Sequence, residues 1–244
     1  MKYTNYFSMP KSFVDVVKRL TRDITEDDPK KISVTTLINP PRMRILALRH
    51  WSSLEEDVSN HLWRILGSSI HYVMSKVEDT DRFIEERLEE KIDDFIVVGR
   101  PDLYEIKDKS VSDYKVTSVF AINSEKEEWV QQLNLYAFLY RKLGFQVNKA
   151  YIHAILRDWR RSETFKNKNY PKIPFKTIKI KLWSFKEQED YIKERIKLHK
   201  EALDKKDEEL VLCSEKERWK NDIRCLNYCL VAKKCSYWSE HYGK

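Results

Sequence analysis

The sequence predicts an α/β fold in which a mixed central sheet is flanked by helices and followed by a helical, cysteine-bearing C-terminal extension. An apolar, helix-periodic stretch from about Ser53 to Val77 precedes three strand-like segments. A second helical stretch, from about Ser124 to Leu143, precedes the strongly apolar segment Val147–Leu156. The order helix, three strands, helix, strand is typical of an α/β sandwich.

Turn residues define the individual elements. Asp93-Asp94 predicts a turn between the strands Arg82–Ile92 and Phe95–Glu105. Val111–Ser118 is expected to be the third strand, and Gly144 is placed to end the second helix. The remaining elements are a strand and a highly charged helix, at Thr177–Trp183 and Glu187–Leu210.

The same pattern predicts three regions. Residues 1–32 are expected to form a lysine-rich leader with one helix, and residues 33–210 the core. Residues 211–244 are expected to form a cysteine-containing tail that packs on this core.

Composition narrows the partners and the compartment. The 244 residues carry a formal net charge of +7, which suits a polyanionic partner. The first residues lack the apolar stretch of a secretory signal, and no run has the length of a membrane span, so we expect a cytoplasmic protein, in the host cytoplasm if phage-encoded. A phosphate-binding G-x-x-x-x-G-K-[ST] motif is absent from the sequence.

An aspartate and a lysine stand two residues apart in the third predicted strand. Side chains alternate along a strand, so Asp113 and Lys115 are expected to share one face. Asp102, in the segment Gly99-Arg100-Pro101-Asp102, brings a second carboxylate from a neighbouring strand. Two carboxylates can hold a hard divalent cation, and a lysine can meet a phosphate oxygen. The alternative is a weak surface ion pair, which a chain with 35% charged residues also produces.

Two helical motifs flank this segment. His71 follows the small residues Gly67-Ser68-Ser69, which allow close approach to the helix, and its imidazole would be a third metal ligand. Gln132 and Tyr136 are spaced to lie on one helix face and reach the same site. The alternatives are a packing or exposed histidine and a polar position at the edge of an apolar seam.

The ordered set G-x-x-x-H, G-R-x-D, D-x-K and Q-x-x-x-Y resembles the PD-(D/E)XK nuclease superfamily. The resemblance covers roughly Ser33 to Leu156 and is to the RecB-like branch, which includes phage exonucleases and CRISPR-associated nucleases with cysteine clusters. It implies a restriction-endonuclease-like core that hydrolyses phosphodiester bonds.

The resemblance also implies residue roles. His71, Asp102, Asp113 and the backbone carbonyl of Tyr114 would ligate Mg²⁺ or Mn²⁺. Asp102 and Asp113 would thereby be catalytic, together with Lys115 near the scissile phosphate and the supporting pair Gln132 and Tyr136. An upstream acid often joins this set, and Glu86 and Glu89 are both candidates.

Four cysteines are confined to the tail, at Cys213, Cys225, Cys229 and Cys235. Four thiolates suit tetrahedral Zn²⁺ or a 4Fe-4S cluster, and reduced packing cysteines are the alternative. Related nucleases with clusters usually place one cysteine before the core, whereas all four follow it here.

A basic loop follows the last predicted core strand. Its cations are expected to contact DNA, with a merely solvated loop as the alternative: Arg157, Arg160, Arg161, Lys166 and Lys168.

These features predict a metal-dependent deoxyribonuclease, with exonuclease action on single-stranded DNA or DNA ends in phage-type replication, recombination or DNA degradation. Phage replication or recombination proteins are expected as partners. The alternatives are a CRISPR-associated-like nuclease that trims DNA, and a nucleic-acid-binding module without catalysis. The oligomeric state is left open.

Overall fold

The computed structural model describes residues 1–21, 23–24, 27–77, 80–124 and 126–243. The chain forms two compact units. The central unit comprises residues 63–192, and the terminal unit comprises residues 1–62 and 193–244. The predicted division at residues 32 and 210 stays a prediction.

The described elements follow in chain order. The strands are β1 (Lys2–Thr4), β2 (Lys31–Ser33), β3 (Glu55–Asp57), β4 (Arg82–Ile84), β5 (Leu88–Ile92), β6 (Phe95–Gly99), β7 (Leu103–Glu105), β8 (Ser110–Thr117), β9 (Lys149–Leu156) and β10 (Phe175–Ile180). The helices are α1 (Lys11–Leu20), α2 (Val34–Leu37), α3 (Pro41–His50), α4 (Leu62–Met74), α5 (Glu127–Lys142), α6 (Glu163–Lys166), α7 (Phe185–Leu203), α8 (Glu215–Arg218), α9 (Ile223–Asn227) and α10 (Ser236–Tyr242). Short 3-10 segments lie at Trp51–Ser53, Val58–His61, Phe120–Asn123, Asp207–Glu209, Lys220–Asp222 and Ala232–Lys234.

The main sheet of the central unit is mixed, as predicted. Its strand order is β10-β9-β8-β7-β4. The neighbours β8 and β9 are parallel and α5 connects them, whereas the other neighbouring pairs are antiparallel. In addition, β5 and β6 form an antiparallel hairpin through the predicted Asp93-Asp94 turn, where Asp93 has a φ of 53°.

Two long predicted strands are each divided in two. The first breaks between β4 and β5, where Glu85 adopts a φ of 54° that a strand does not accommodate. The second breaks after Gly99, where Pro101 removes a backbone donor from the ladder. These two interruptions lie beside each other, because the Glu85 N–H donates to the Asp102 carbonyl at 3.1 Å.

The predicted helix start at Ser53 is wrong. The helix α4 begins at Leu62, after the strand β3 and a 3-10 turn. The physical reason is a cap at Asp57, whose side chain accepts a hydrogen bond from the Ser59 N–H at 3.0 Å and starts the 3-10 turn instead.

Close packing of α5 on the sheet positions the polar residues of the central unit. Gly99 permits this approach, because a Cβ there would stand 2.5 Å from Leu139 Cδ1 and 3.1 Å from Tyr136 Cδ1. The helix ends at Lys142, and Gly144 follows its C-cap with a φ of 89° that favours glycine, as its position in the sequence predicts. The close packing at Gly99 therefore fixes which face of α5 contacts the sheet.

The terminal unit has a separate apolar core, in which side chains from α3, α7 and the tail are buried together. Its fully packed members are Ile45, Leu46, Trp51, Leu54, Ala202, Leu210 and Val231. Arg42 joins α3 to the cysteine-bearing tail, because its guanidinium donates to the Leu210 carbonyl at 2.5 Å and to Ser236 Oγ at 3.0 Å. Within the described residues, no helix combines the length and apolar character needed to cross a bilayer.

His199 is a buried titratable group in the terminal unit. Its Nε2 lies 3.1 Å from the Leu37 carbonyl oxygen, to which it donates. Burial, followed by the positive charges of Arg44 and Arg195, lowers the pKa of the imidazole from 6.5 to about 3.

We expect the free energy of unfolding to decrease as the pH is lowered below 6.5. The reason is that His199 then binds a proton in the unfolded chain but not in the folded chain. The loss from this group is about 2 kcal/mol at pH 5. Denaturant unfolding at pH 7 and pH 5 measures it, with His199→Gln as the control that keeps a donor but does not titrate. Equal pH dependence in both proteins would contradict the assignment.

Candidate active site

A polar cleft of about 440 Å³ opens in the central unit between α4, the ends of β4 and β6, the strand β8 and the helix α5. Six of the residues predicted as site residues line it. The lining consists of Ser68, His71, Tyr72, Ser75, Glu85, Arg100, Asp102, Asp113, Lys115, Gln132 and Tyr136.

His71 stands between two carboxylates. Its Nδ1 lies 3.0 Å from Asp102 Oδ1 and 3.2 Å from Glu85 Oε1. These hydrogen bonds raise the pKa of His71 to about 10, Asp102 contributing more than Glu85. One ligand atom from each of the three residues lies within 4.8 Å of the others, which is a spacing that one metal ion can bridge. A metal ion would replace the imidazolium proton in balancing these two carboxylates.

Asp102 is fixed by the adjacent strand. Its Oδ2 accepts a hydrogen bond from the Tyr114 N–H at 2.6 Å, while Oδ1 faces His71. The carboxylate is almost fully buried, so its negative charge needs these donors or a cation. The backbone of β8 therefore holds one oxygen of Asp102 and leaves the other toward the cleft.

Asp113 and Lys115 lie on one face of β8, with Asp113 Oδ2 2.6 Å from Lys115 Nζ. Burial raises the pKa of Asp113 and the Lys115 charge opposes this rise. Oδ2 is buried and lacks a hydrogen bond of regular geometry apart from this ion pair. The structure thus places a buried carboxylate, paired with Lys115, in the same cleft as His71, which fits a site for a divalent cation.

Gln132 and Tyr136 connect α5 to this carboxylate. Gln132 Nε2 donates to Asp113 Oδ1 and to Tyr136 Oη, both at 3.0 Å. The buried Gln132 amide nitrogen therefore has two hydrogen-bond acceptors, as a buried polar group requires. Burial raises the pKa of Tyr136, so its hydroxyl stays protonated. Through Gln132, the pair contacts the aspartate of the D-x-K segment.

The upstream acid at the cleft is Glu85, and neither candidate named from the sequence occupies that place. Glu89 pairs instead with Arg87, whose Nε lies 2.7 Å from Glu89 Oε1. Glu85 Oε2 lies 3.1 Å from the Arg100 guanidinium. Strand periodicity cannot identify Glu85, because its left-handed backbone lies between two strands. The run of acids at 85–90 was the available signal.

Other predicted residues lie elsewhere. The Tyr114 side chain points to the opposite face of β8, with its ring 5.2 Å from that of His153. A metal-ligating role for its carbonyl stays a prediction. The basic-loop residues lie outside the described lining of the cleft: Arg157, Arg160, Arg161, Lys166 and Lys168.

Two of these loop cations have defined contacts. Arg157 stacks on Trp63, with its guanidinium carbon 4.0 Å from the ring centroid, and Lys166 Nζ pairs with Glu163 at 2.9 Å. The Arg157 N–H also donates to the carbonyl of Thr117, the last residue of β8, so the loop begins beside the end of that strand.

The four cysteines are all half-buried in the terminal unit and carry free thiols. Burial, with smaller contributions from the Glu217 carboxylate and the other three cysteines, raises the pKa of Cys213 to about 12. Among the described residues their sulfurs do not form a group of ligand atoms within 4.8 Å of one another. The Arg42 Nε donates to Cys235 Sγ at 3.1 Å, so a positively charged guanidinium contacts one of the four cysteines.

No protein-family model matches the chain, and no curated protein matches it significantly. Among solved structures, the chain is similar to SSO0001, with a TM-score of 0.58 and 16% identity over 92% of this chain and 94% of that one. This likeness concerns the fold alone.

Two further solved structures are exonucleases. The phage-related exonuclease from Haemophilus somnus 129PT has a TM-score of 0.43 and 16% identity, over 71% of this chain and 93% of that one. The alkaline exonuclease LHK-Exo from Laribacter hongkongensis has a TM-score of 0.45 and 9% identity, over 71% and 90%. Both TM-scores lie below 0.5, so neither likeness shows a function.

The chain shares a fold with SSO0001. The resemblance of the four ordered motifs to the PD-(D/E)XK superfamily stays a prediction. The mixed sheet of the chain carries the acids on β8 and at the start of β7, and α5 covers them. The relation to CRISPR-associated nucleases stays a prediction.

We expect Glu85→Gln to weaken Mn²⁺ binding by about 10-fold or more, since it removes a charge from the group around His71. Calorimetric titration of the DNA-free protein measures this. Glu89→Gln is the matched control, because it removes a neighbouring acid that pairs with Arg87. Equal affinities for the two variants would show that Glu85 does not contribute to the site.

Proposed function

We propose that the chain is a divalent-metal-dependent deoxyribonuclease that hydrolyses phosphodiester bonds, with exonuclease action at DNA ends or on single strands. One observation carries this proposal: the cleft brings His71, Glu85 and Asp102 within 4.8 Å of one another, next to the Asp113–Lys115 pair. Carboxylates with one imidazole suit Mg²⁺ or Mn²⁺, and an adjacent lysine suits the phosphate.

The metal would be held by His71, Glu85 and Asp102, whose ligand atoms lie within 4.8 Å of one another, and Asp113, which lines the same cleft, would be a further ligand. When bound, it would act as a Lewis acid that neutralises charge on the phosphate and acidifies a water molecule. Lys115 projects an ammonium group from the same face of β8 as Asp113. Negative charge that develops on the phosphate during hydrolysis would be stabilised by this ammonium.

Other chain residues set the geometry of these groups. Gln132 orients Asp113 by donating to Oδ1, which directs Oδ2 toward Lys115 and the cleft. The Tyr114 N–H does the same for Asp102. Held in this way, the carboxylates would need little rearrangement on binding a cation.

Two alternatives differ in what they require of the cleft. A nucleic-acid-binding module without catalysis would not need four charged groups buried or half-buried around one point. A CRISPR-associated-like trimming nuclease would use the same chemistry, and a stable integrase partner would point to it. Phage replication or recombination proteins are the partners proposed for the first function.

We expect Asp113→Ala and Lys115→Ala each to lower the rate of DNA cleavage at least about 100-fold, because Asp113 would hold the metal and Lys115 would stabilise negative charge on the phosphate. Binding to DNA should survive. The assay compares linear and circular, single- and double-stranded DNA with Mg²⁺ and with Mn²⁺.

Asp108→Ala is the matched control for these variants. Asp108 also pairs with a lysine, Lys149, but lies outside the cleft lining. Cleavage that persists in Asp113→Ala and Lys115→Ala would refute the proposed active site.

We also propose that Cys213, Cys225, Cys229 and Cys235 hold a 4Fe-4S cluster, with Zn²⁺ as the alternative. Four thiolates suit either group, and the Arg42 Nε that donates to Cys235 Sγ would balance part of their negative charge. Bound metal would stabilise thiolates whose pKa values burial raises. Its role would be to stabilise the terminal unit.

A freshly purified, anaerobic sample is expected to be coloured, to absorb visible light and to contain iron. Cys225→Ser should lose the colour and lower the melting temperature. A colourless sample with one zinc per chain would favour the alternative, and a sample with neither metal would refute a metal site.

A further inference from the structure

An exposed aromatic ring stands at the rim of the acidic cleft. Tyr72 follows His71 on α4 and lines the cleft, yet it is 64% exposed. Leaving an aromatic face in water forgoes the stabilisation that its burial would give. A ring in this position is available to a flat, apolar group that enters the cleft.

Cations accompany this ring. Lys76, one turn further on, places Nζ 4.5 Å from the Tyr72 ring centroid. Arg100 lines the same cleft, and its side chain is 65% exposed while its Nε donates to the Glu85 carbonyl at 2.8 Å. The cleft therefore has carboxylates at its floor and an aromatic face with cations at its rim. Proteins bind single strands through stacking rings combined with positive charges along the backbone.

We propose that Tyr72 stacks against the base of an unpaired nucleotide whose phosphate lies at the His71–Asp102–Asp113 site, so that the substrate is a single strand or a frayed end. The inference rests on the proposed nuclease function and deepens it. A base within a duplex is stacked on both neighbours and cannot present its face to Tyr72. The cleft, at about 440 Å³, has the size of pockets that hold one small ligand of roughly nucleotide dimensions, and it cannot enclose a duplex.

The chain offers a matched control on the same helix. Val73 is adjacent to Tyr72 and 62% exposed, but it is not among the described residues that line the cleft. Val73→Ala removes a comparably exposed apolar group beside the ring. Tyr72→Phe keeps the ring and removes only the hydroxyl.

The test measures binding of a short fluorescent single strand with Ca²⁺ in place of Mg²⁺ or Mn²⁺, so that a cation balances the carboxylates while cleavage is suppressed. Tyr72→Ala should weaken binding roughly 5-fold to 150-fold, the range for loss of one base–aromatic stack. Tyr72→Phe and Val73→Ala should bind like the unmodified chain. Placing an abasic nucleotide at the contacted position should abolish the difference between Tyr72→Ala and the unmodified chain.

Unchanged binding in Tyr72→Ala, or an equal loss on duplex and abasic DNA, would overturn the proposal. If Tyr72→Ala fails to fold, 2-aminopurine placed along the strand replaces it: the unmodified chain should quench its fluorescence at one position, and an absence of quenching would overturn the proposal. A parallel cleavage assay separates this result from the proposed function, since missing cleavage with normal stacking would refute only the nuclease.

Discussion

The carboxylate of Asp102 joins three separate segments of the central unit. One oxygen accepts a hydrogen bond from the backbone of β8 at Tyr114, and the other faces His71 on α4. The carboxylate itself belongs to the turn that leads into β7. Because it is buried, its charge must be balanced from within the cleft. Without Asp102, the Tyr114 N–H on β8 and the His71 imidazole on α4 would have no common partner.

Packing of α5 explains why the second carboxylate is oriented. Gly99 allows the helix to approach the sheet so closely that Gln132 reaches Asp113. Asp113 is then buried beside Lys115, and burial raises its pKa while the ammonium opposes the rise. Two buried acids, one lysine and one imidazole around a single cleft form an arrangement that a cation would complete. The fold thus holds these carboxylates in buried positions, where water solvates their charge only weakly.

The sequence allowed the prediction of features that follow from short-range periodicity. Alternation along a strand places Asp113 and Lys115 on one face, and the i, i+4 spacing brings Gln132 next to Tyr136. Features that depend on irregular backbone were not predicted. Glu85 reaches the cleft through a left-handed residue between two strands, and α4 starts late because Asp57 caps a 3-10 turn. Residue periodicity reveals neither the left-handed backbone at Glu85 nor the 3-10 turn after Asp57, since both conformations depend on contacts made elsewhere in the chain.

Anomalous diffraction from crystals grown with Mn²⁺ tests the central claim most directly, namely that these side chains converge on one cation. We expect a single strong peak in the cleft, about 2.0–2.6 Å from ligand atoms of His71, Asp102 and Asp113. A peak elsewhere, or a cleft without manganese and with the Asp113–Lys115 ion pair intact, would contradict it.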